Sequence, residues 1–226
     1  MTEDQWLACT DPQPMLDFLL DRASNRKLRL FACTCCRAFI HHADERCRDA
    51  LAVADAFAEG LATAKELETA RRVAYDVFCE FEGVPEKVGN AVSLACCHED
   101  LGRNVVDVAH SAHSLAVVGV ERSFMKAARI LERRKQCRWL RDIFGSPFRP
   151  VTLHPLWLTP GVANLGAAAY EVRALPSGEL DSQRLAVLAD ALEEAGCADP
   201  ELLGHLRSPG PHVRWCWALD LILGKE

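Results

Sequence analysis

The feature that most constrains this chain is a series of apolar faces at helical spacing, each bounded by residues that start or stop helices. Cys47, Ala50, Leu51, Ala54, Phe57 and Ala58 recur every three or four positions. Leu67, Ala70, Ala74, Val77, Phe78 and Phe81 do the same, as do Val105, Val108, Ala109, Ala112, Leu115 and Ala116. Leu185, Leu188, Ala189, Leu192 and Ala195 form a fourth stripe. A period near 3.6 gathers the apolar side chains on one side of a helix, and that side must pack against something.

The punctuation agrees with the periodicity. Thr2 with Gln5 and Thr63 with Glu66 read as capping boxes. Asp11-Pro12, Thr159-Pro160 and Asp199-Pro200 each place a capping side chain before a proline at the first helical position, where its missing N–H costs nothing. Gly60, Gly83 and Gly196 follow apolar-periodic stretches, as helix-ending glycines do. Alternating strand patterns are nearly absent. The fold these signals predict is all-α, a compact multi-helix bundle of about eight to ten helices.

One stretch interrupts the pattern. Pro147, Pro150, Pro155 and Pro160 stand among Phe148, Leu153, Leu156 and Trp157. The prolines forbid a helix and the apolar residues argue against a free linker. The organisation predicted is an N-terminal helical subdomain over 1–144, an ordered proline-rich strap over 145–160, and a C-terminal short-helix subdomain over 161–226 packed on the first. The last helix is expected from His212 to Leu223, apolar nearly all round and so buried.

Eleven cysteines in 226 residues is a high and odd count. A chain this long needs no disulfide staples, and adjacent pairs such as Cys35-Cys36 and Cys96-Cys97 make poor frameworks. The thiols read as reduced, in a reducing compartment. The acidic start Met1-Thr2-Glu3-Asp4 lacks the features of a secretory leader, and no apolar run approaches membrane-spanning length. A cytoplasmic protein without membrane contact is the expectation.

The densest chemical cluster is Phe31-Ala32-Cys33-Thr34-Cys35-Cys36, within a helix expected from about Arg26 to His42. Cys35 shares a face with Leu28, Phe31, Ala32 and Phe39 and is core. Cys33 and Cys36 lie about 60° apart on its flank. With His41 or His42 they can supply half of a zinc site. A second pair from Cys96, Cys97 and His98, or from His212 and Cys216, is needed to complete it. Without that pair they are buried structural thiols.

Other candidates are weaker. Asp107, His110 and His113 step by three along one helix, but dinuclear bundle sites repeat such a motif on several helices and here it stands once. Cys97-His98 are chain neighbours, which point apart on a helix. No catalytic or cofactor-binding motif is present: no nucleophile elbow, phosphate loop or dinucleotide fingerprint. Arg122, Lys126, Arg129 and Arg133 form a basic stripe opposite Phe124, Ala128 and Leu131, with Arg134, Arg138 and Arg141 on a shifted stripe. A basic helix face can track phosphates, but the formal net charge is -6, the sign opposite to that of most phosphate-gripping proteins.

Leu140-Arg141-Asp142-Ile143-Phe144-Gly145-Ser146-Pro147-Phe148-Arg149-Pro150 is a distinctive block, as is Leu188 to Cys197, reading LADALEEAGC. A third runs from Pro209-Gly210-Pro211-His212-Val213-Arg214 through Cys216-Trp217 to Leu219-Asp220-Leu221-Ile222-Leu223-Gly224-Lys225. With the N-terminal stretch Arg26 to Cys33, these blocks resemble a large paralogous family of uncharacterised planctomycete bacterial proteins. The likeness covers both ends, while about 74–135 departs from it. It implies bacterial lineage and intracellular life, and no activity.

The functional expectation is therefore a non-enzymatic helical scaffold that binds a protein partner and carries no cofactor. A zinc-stabilised or metal-dependent protein using Cys33, Cys36 and His41 is the alternative, and nucleic-acid binding through the basic face is the third reading. In the scaffold reading His212, Arg149 and Arg214 hold the fold together. A histidine at the start of the last helix is expected to stay neutral.

Overall fold

The computed structural model describes residues 1–172, 174 and 177–225. The fold is all-α: among the described residues there are twelve α-helices and two 3-10 turns, and the only β-pairing is one isolated antiparallel bridge between Glu179 and Val213. The chain divides into two compact units, Met1–Arg138 and Trp139–Glu226. Among the described residues no helix is long and apolar enough to cross a membrane.

The first unit contains α1 (Glu3–Ala8), α2 (Pro12–Leu19), α3 (Asn25–Arg37), α4 (Glu45–Ala58), α5 (Ala64–Glu80), α6 (Val84–Ala95) and α7 (Leu101–Leu115). The helix α8 (Met125–Phe144) begins in it and ends in the second unit. Helix α3 is central and touches α4, α6 and α7. Its residues Leu28 to Cys36 are buried without a break, including a charged one, Arg29. Arg29 Nη1 donates to the Ala95 carbonyl at 2.7 Å, and its guanidinium lies over the Phe57 ring. These contacts replace the hydration that burial removes.

The capping residues act locally, as their spacing predicts. Thr2 and Gln5 bond reciprocally at the start of α1, and Thr63 and Glu66 at the start of α5. Asp11 caps α2 through the Gln13 N–H. Gly83, with a φ of 82°, opens α6 rather than closing α5. The helix expected to reach His42 stops at Arg37, followed by a 3-10 turn over Ile40–His42. There Phe39 N–H bonds the Cys36 carbonyl and Ala43 N–H the Ile40 carbonyl, so the winding has tightened to i→i+3.

The second unit contains the end of α8, then α9 (Pro160–Glu171), α10 (Ser182–Glu194), α11 (Pro200–Leu206) and α12 (Trp217–Ile222). Thr159, Asp181 and Asp199 cap the first three through their side chains. No α-helix lies between Phe144 and Pro160, although Pro155–Trp157 makes one 3-10 turn. The final helix is shorter than expected. It starts at Trp217 because the backbone before it is claimed elsewhere. His212 C=O accepts from Leu180 N–H at 2.8 Å, and Val213 N–H donates to Asp142 Oδ2 at 2.7 Å. A residue bonded in this way is extended and cannot join the helical ladder.

A candidate metal centre

Four side chains from separate parts of the second unit converge: Asp142, His205, His212 and Cys216. Asp142 sits in the last turn of α8 and His205 in the last turn of α11. His212 follows the turn Ser208-Pro209-Gly210-Pro211, and Cys216 stands at the N-cap of α12. Glycine is required in that turn. Gly210 has a φ of 83°, and a Cβ there would lie 2.7 Å from the His212 nitrogen.

The donor atoms face one another. Asp142 Oδ1 is 3.0 Å from His212 Nδ1 and 3.3 Å from His205 Nε2. His205 Nε2 is also 3.0 Å from Cys216 Sγ. One potential ligand atom from each residue lies within 4.8 Å of all the others. Tetrahedral zinc at its usual bond lengths of about 2.0–2.3 Å separates neighbouring ligand atoms by about 3.3–3.8 Å. Two of the three contacts are tighter than this, the third is at the lower edge of the range, and the remaining pairs lie within 4.8 Å, so an ion requires the donors to rearrange around it.

The arrangement is not a nucleophilic triad. In a triad the base meets the nucleophile with one ring nitrogen and the orienting carboxylate with the other. Here a single nitrogen, His205 Nε2, faces both the thiol and the carboxylate. Convergence of every donor on one small volume makes the group a candidate for holding a metal ion.

Two donors are held from behind. Asp142 Oδ2 accepts from Val213 N–H. His212 Nε2 lies 3.0 Å from the Ser208 carbonyl and 3.2 Å from its hydroxyl, which leaves Nδ1 facing Asp142. Such outer partners fix tautomer and orientation in metal sites. Cys216 is fully buried at the start of α12, and its side chain makes no capping hydrogen bond to that helix.

Burial and pairing set the protonation states of the metal-free chain. Burial pushes the Cys216 thiol well up, and the nearby Asp142 carboxylate adds to that. For Asp142 burial also raises the value, but hydrogen bonds from His205 and His212 outweigh it and hold the carboxyl below its ordinary range. For His212 burial lowers the value, and the Asp142 hydrogen bond and charge outweigh it, so the imidazole lies above its usual value. The expectation of a neutral His212 rested on its starting a helix, and that ground is absent. Its neighbour is a buried carboxylate.

The sequence candidates lie elsewhere. Cys33 and Cys36 are fully buried in α3, with thiols raised by burial, and His41 is exposed beside His42. Among the described residues they do not belong to a converging group of three or more potential ligands. His110 and His113 stack on α7, with ring centroids 6.2 Å apart. His98 packs edge-on against Phe57. Opposite the basic stripe Phe124 and Leu131 are 62% and 61% exposed and Ala128 is half-buried, and Arg133 pairs with Asp11. Arg149 pairs with Glu201 and Arg214 with Glu171.

Sequence reading had His212 and Cys216 only as a complement to Cys33 and Cys36, and passed over Asp142 and His205. The legible signal was His205, His212 and Cys216 bracketing a Pro-Gly-Pro turn. Comparison with protein-family models, with curated protein sequences and with solved structures returned no match.

Proposed function

We propose that this chain is a zinc-binding helical protein whose second unit is held in its fold by an ion bound to Asp142, His205, His212 and Cys216. The observation that carries the reading is the convergence of four donors, two of them already oriented from behind. The donor set selects the metal. One carboxylate oxygen, two imidazole nitrogens and one thiolate form a borderline-soft set, suited to tetrahedral zinc rather than to calcium or magnesium. The charges also balance, because a carboxylate and a thiolate together neutralise a divalent cation in a buried place.

A metal-held helical unit is compatible with the scaffold role expected from the sequence, and zinc adds the condition that its shape depends on the ion. The eleven cysteines are all free, which supports a reducing compartment such as the cytoplasm. Metal analysis of the purified chain tests the reading. Stoichiometric zinc that is lost in Cys216→Ser and His212→Ala supports it. Zinc below about a tenth of an equivalent after zinc-supplemented expression overturns it.

A further inference from the structure

The four donors are not held alike. Asp142, His212 and Cys216 are each 2% exposed or less; Asp142 and His212 each have a hydrogen-bonding partner on the side away from the cluster, and Cys216 is fixed by its buried place at the N-cap of α12. The His205 side chain is 19% exposed. Its Nε2 makes both of its polar contacts within the cluster, and no hydrogen bond to its Nδ1 is present among the described residues. What positions the ring is packing, against His212 at 4.9 Å and Trp217 at 5.1 Å between centroids. It is carried by the last turn of α11, a helix of seven residues.

Zinc sites divide along this line. Sites that only stabilise a fold keep four fixed protein ligands, whereas sites that do chemistry keep three and leave the fourth position to an exchangeable donor. Outer hydrogen bonds mark Asp142 and His212 as fixed ligands, and full burial at the start of α12 encloses Cys216. We infer that Asp142, His212 and Cys216 form an anchored three-ligand set and that His205 is an exchangeable fourth ligand, which a small monodentate nitrogen or oxygen donor, of the imidazole or hydroxide kind, replaces from the solvent side. The inference rests on the metal-binding reading above. It adds an entry point where a bound ion meets a molecule from outside, the condition for polarising a substrate or activating water.

Cobalt(II), which takes the same tetrahedral donors and is coloured, is the probe. Wild type, His205→Ala and His212→Ala are loaded with cobalt, dialysed, analysed for metal and titrated with imidazole while the visible spectrum is followed. Wild type and His205→Ala are expected to keep the ion through dialysis, His205→Ala with weaker affinity. His212→Ala is expected to lose it. Imidazole should change the His205→Ala spectrum saturably, and the wild-type spectrum at higher concentration, while the thiolate-to-cobalt band persists.

Loss of metal from His205→Ala as complete as from His212→Ala overturns the inference and leaves zinc binding intact. A wild-type spectrum that does not respond to imidazole overturns it too, and needs no variant to fold. If wild type takes up neither zinc nor cobalt, the metal-binding reading itself falls.

Discussion

His212 Nδ1 lies 3.0 Å from Asp142 Oδ1, although 70 residues separate the two along the chain. The same carboxylate bonds the next backbone amide, that of Val213, through its other oxygen. Asp142 thus holds both the imidazole and the extended backbone that carries it. A buried carboxylate with this many partners is costly to remove, because each partner is left buried without it.

In the presence of chelator, Asp142→Asn is therefore expected to destabilise the second unit by about 3 kcal/mol or more. The asparagine can still accept from Val213, but it no longer carries the charge that His212 pairs with. Urea unfolding followed by tryptophan fluorescence measures the loss. A variant within about 0.5 kcal/mol of wild type would show that the carboxylate carries no such weight.

Zinc should reverse the pH dependence of this unit. Asp142, held below its ordinary value, contributes stability above about pH 4 that is lost as the pH falls through its lowered value. His212, held above its ordinary value, contributes stability below about pH 6.5 that is lost as the pH rises through its raised value. Metal-free protein should thus weaken on the alkaline side. Zinc needs a neutral imidazole and a thiolate, so its binding strengthens over the same range. The gap between melting curves with zinc and with chelator should widen from about pH 6 to pH 8, corresponding to about 2.7 kcal/mol where free zinc reaches 100 times its dissociation constant. A gap that does not change with pH speaks against imidazole and thiolate ligation.

The two cysteine clusters make opposite predictions. Cys216→Ser should abolish stoichiometric zinc. Cys33→Ser should leave the zinc content of the folded protein unchanged and cost about 1–3 kcal/mol of stability in the first unit, because it buries a hydroxyl where α3 offers a tight apolar site. Metal content and urea midpoints, measured on both variants, separate the effects. Zinc lost on Cys33→Ser and kept on Cys216→Ser would move the metal to the first unit.

What could be read from the sequence follows from the distance over which each interaction acts. The capping boxes of Thr2 with Gln5 and Thr63 with Glu66 close within three residues, so spacing alone reveals them. The start of α12 was not legible. His212 and Val213 have helical-looking neighbours, yet their backbone groups bond to Leu180 and Asp142, which no local window contains. Cys33 and Cys36 had the spacing of a ligand pair, but burial continuous from Leu28 to Cys36 encloses them in apolar packing. The candidate centre draws one residue from each of four places; His205, His212 and Cys216 leave a trace around one Pro-Gly-Pro turn, and nothing local ties Asp142 to them.

Glu132 offers a pH test in the first unit. It is 6% exposed, and burial raises its carboxyl, with Lys135 and Gln136 only partly offsetting this. A raised carboxyl favours the fold while protonated, and that contribution is lost as the pH climbs from about 4.3 through the raised value. Glu132→Gln keeps an oxygen for the Gln136 amide and removes the charge. It should be more stable than wild type at pH 7 and similar at pH 4. A variant less stable than wild type at pH 7 would mean that the pair with Lys135 outweighs the burial of charge.

Two glycine-to-alanine substitutions should act in opposite directions. Gly89 lies in α6 where it packs on α5, and a Cβ there would sit 2.8 Å from the Phe78 nitrogen and 3.1 Å from the Ala74 carbonyl oxygen. Those are backbone atoms and cannot rotate away, so Gly89→Ala must push α5 and α6 apart. The gain from alanine's helix propensity, up to about 1 kcal/mol, is too small to offset the strain. A net loss of about 1–3 kcal/mol is expected. Gly204 is in α11, and a Cβ there meets nothing within 4 Å. Gly204→Ala should therefore gain up to about 1 kcal/mol from propensity alone. Urea midpoints for both variants, with unchanged slopes, give the comparison. A neutral Gly89→Ala would show that the α5–α6 contact yields more readily than its backbone spacing requires.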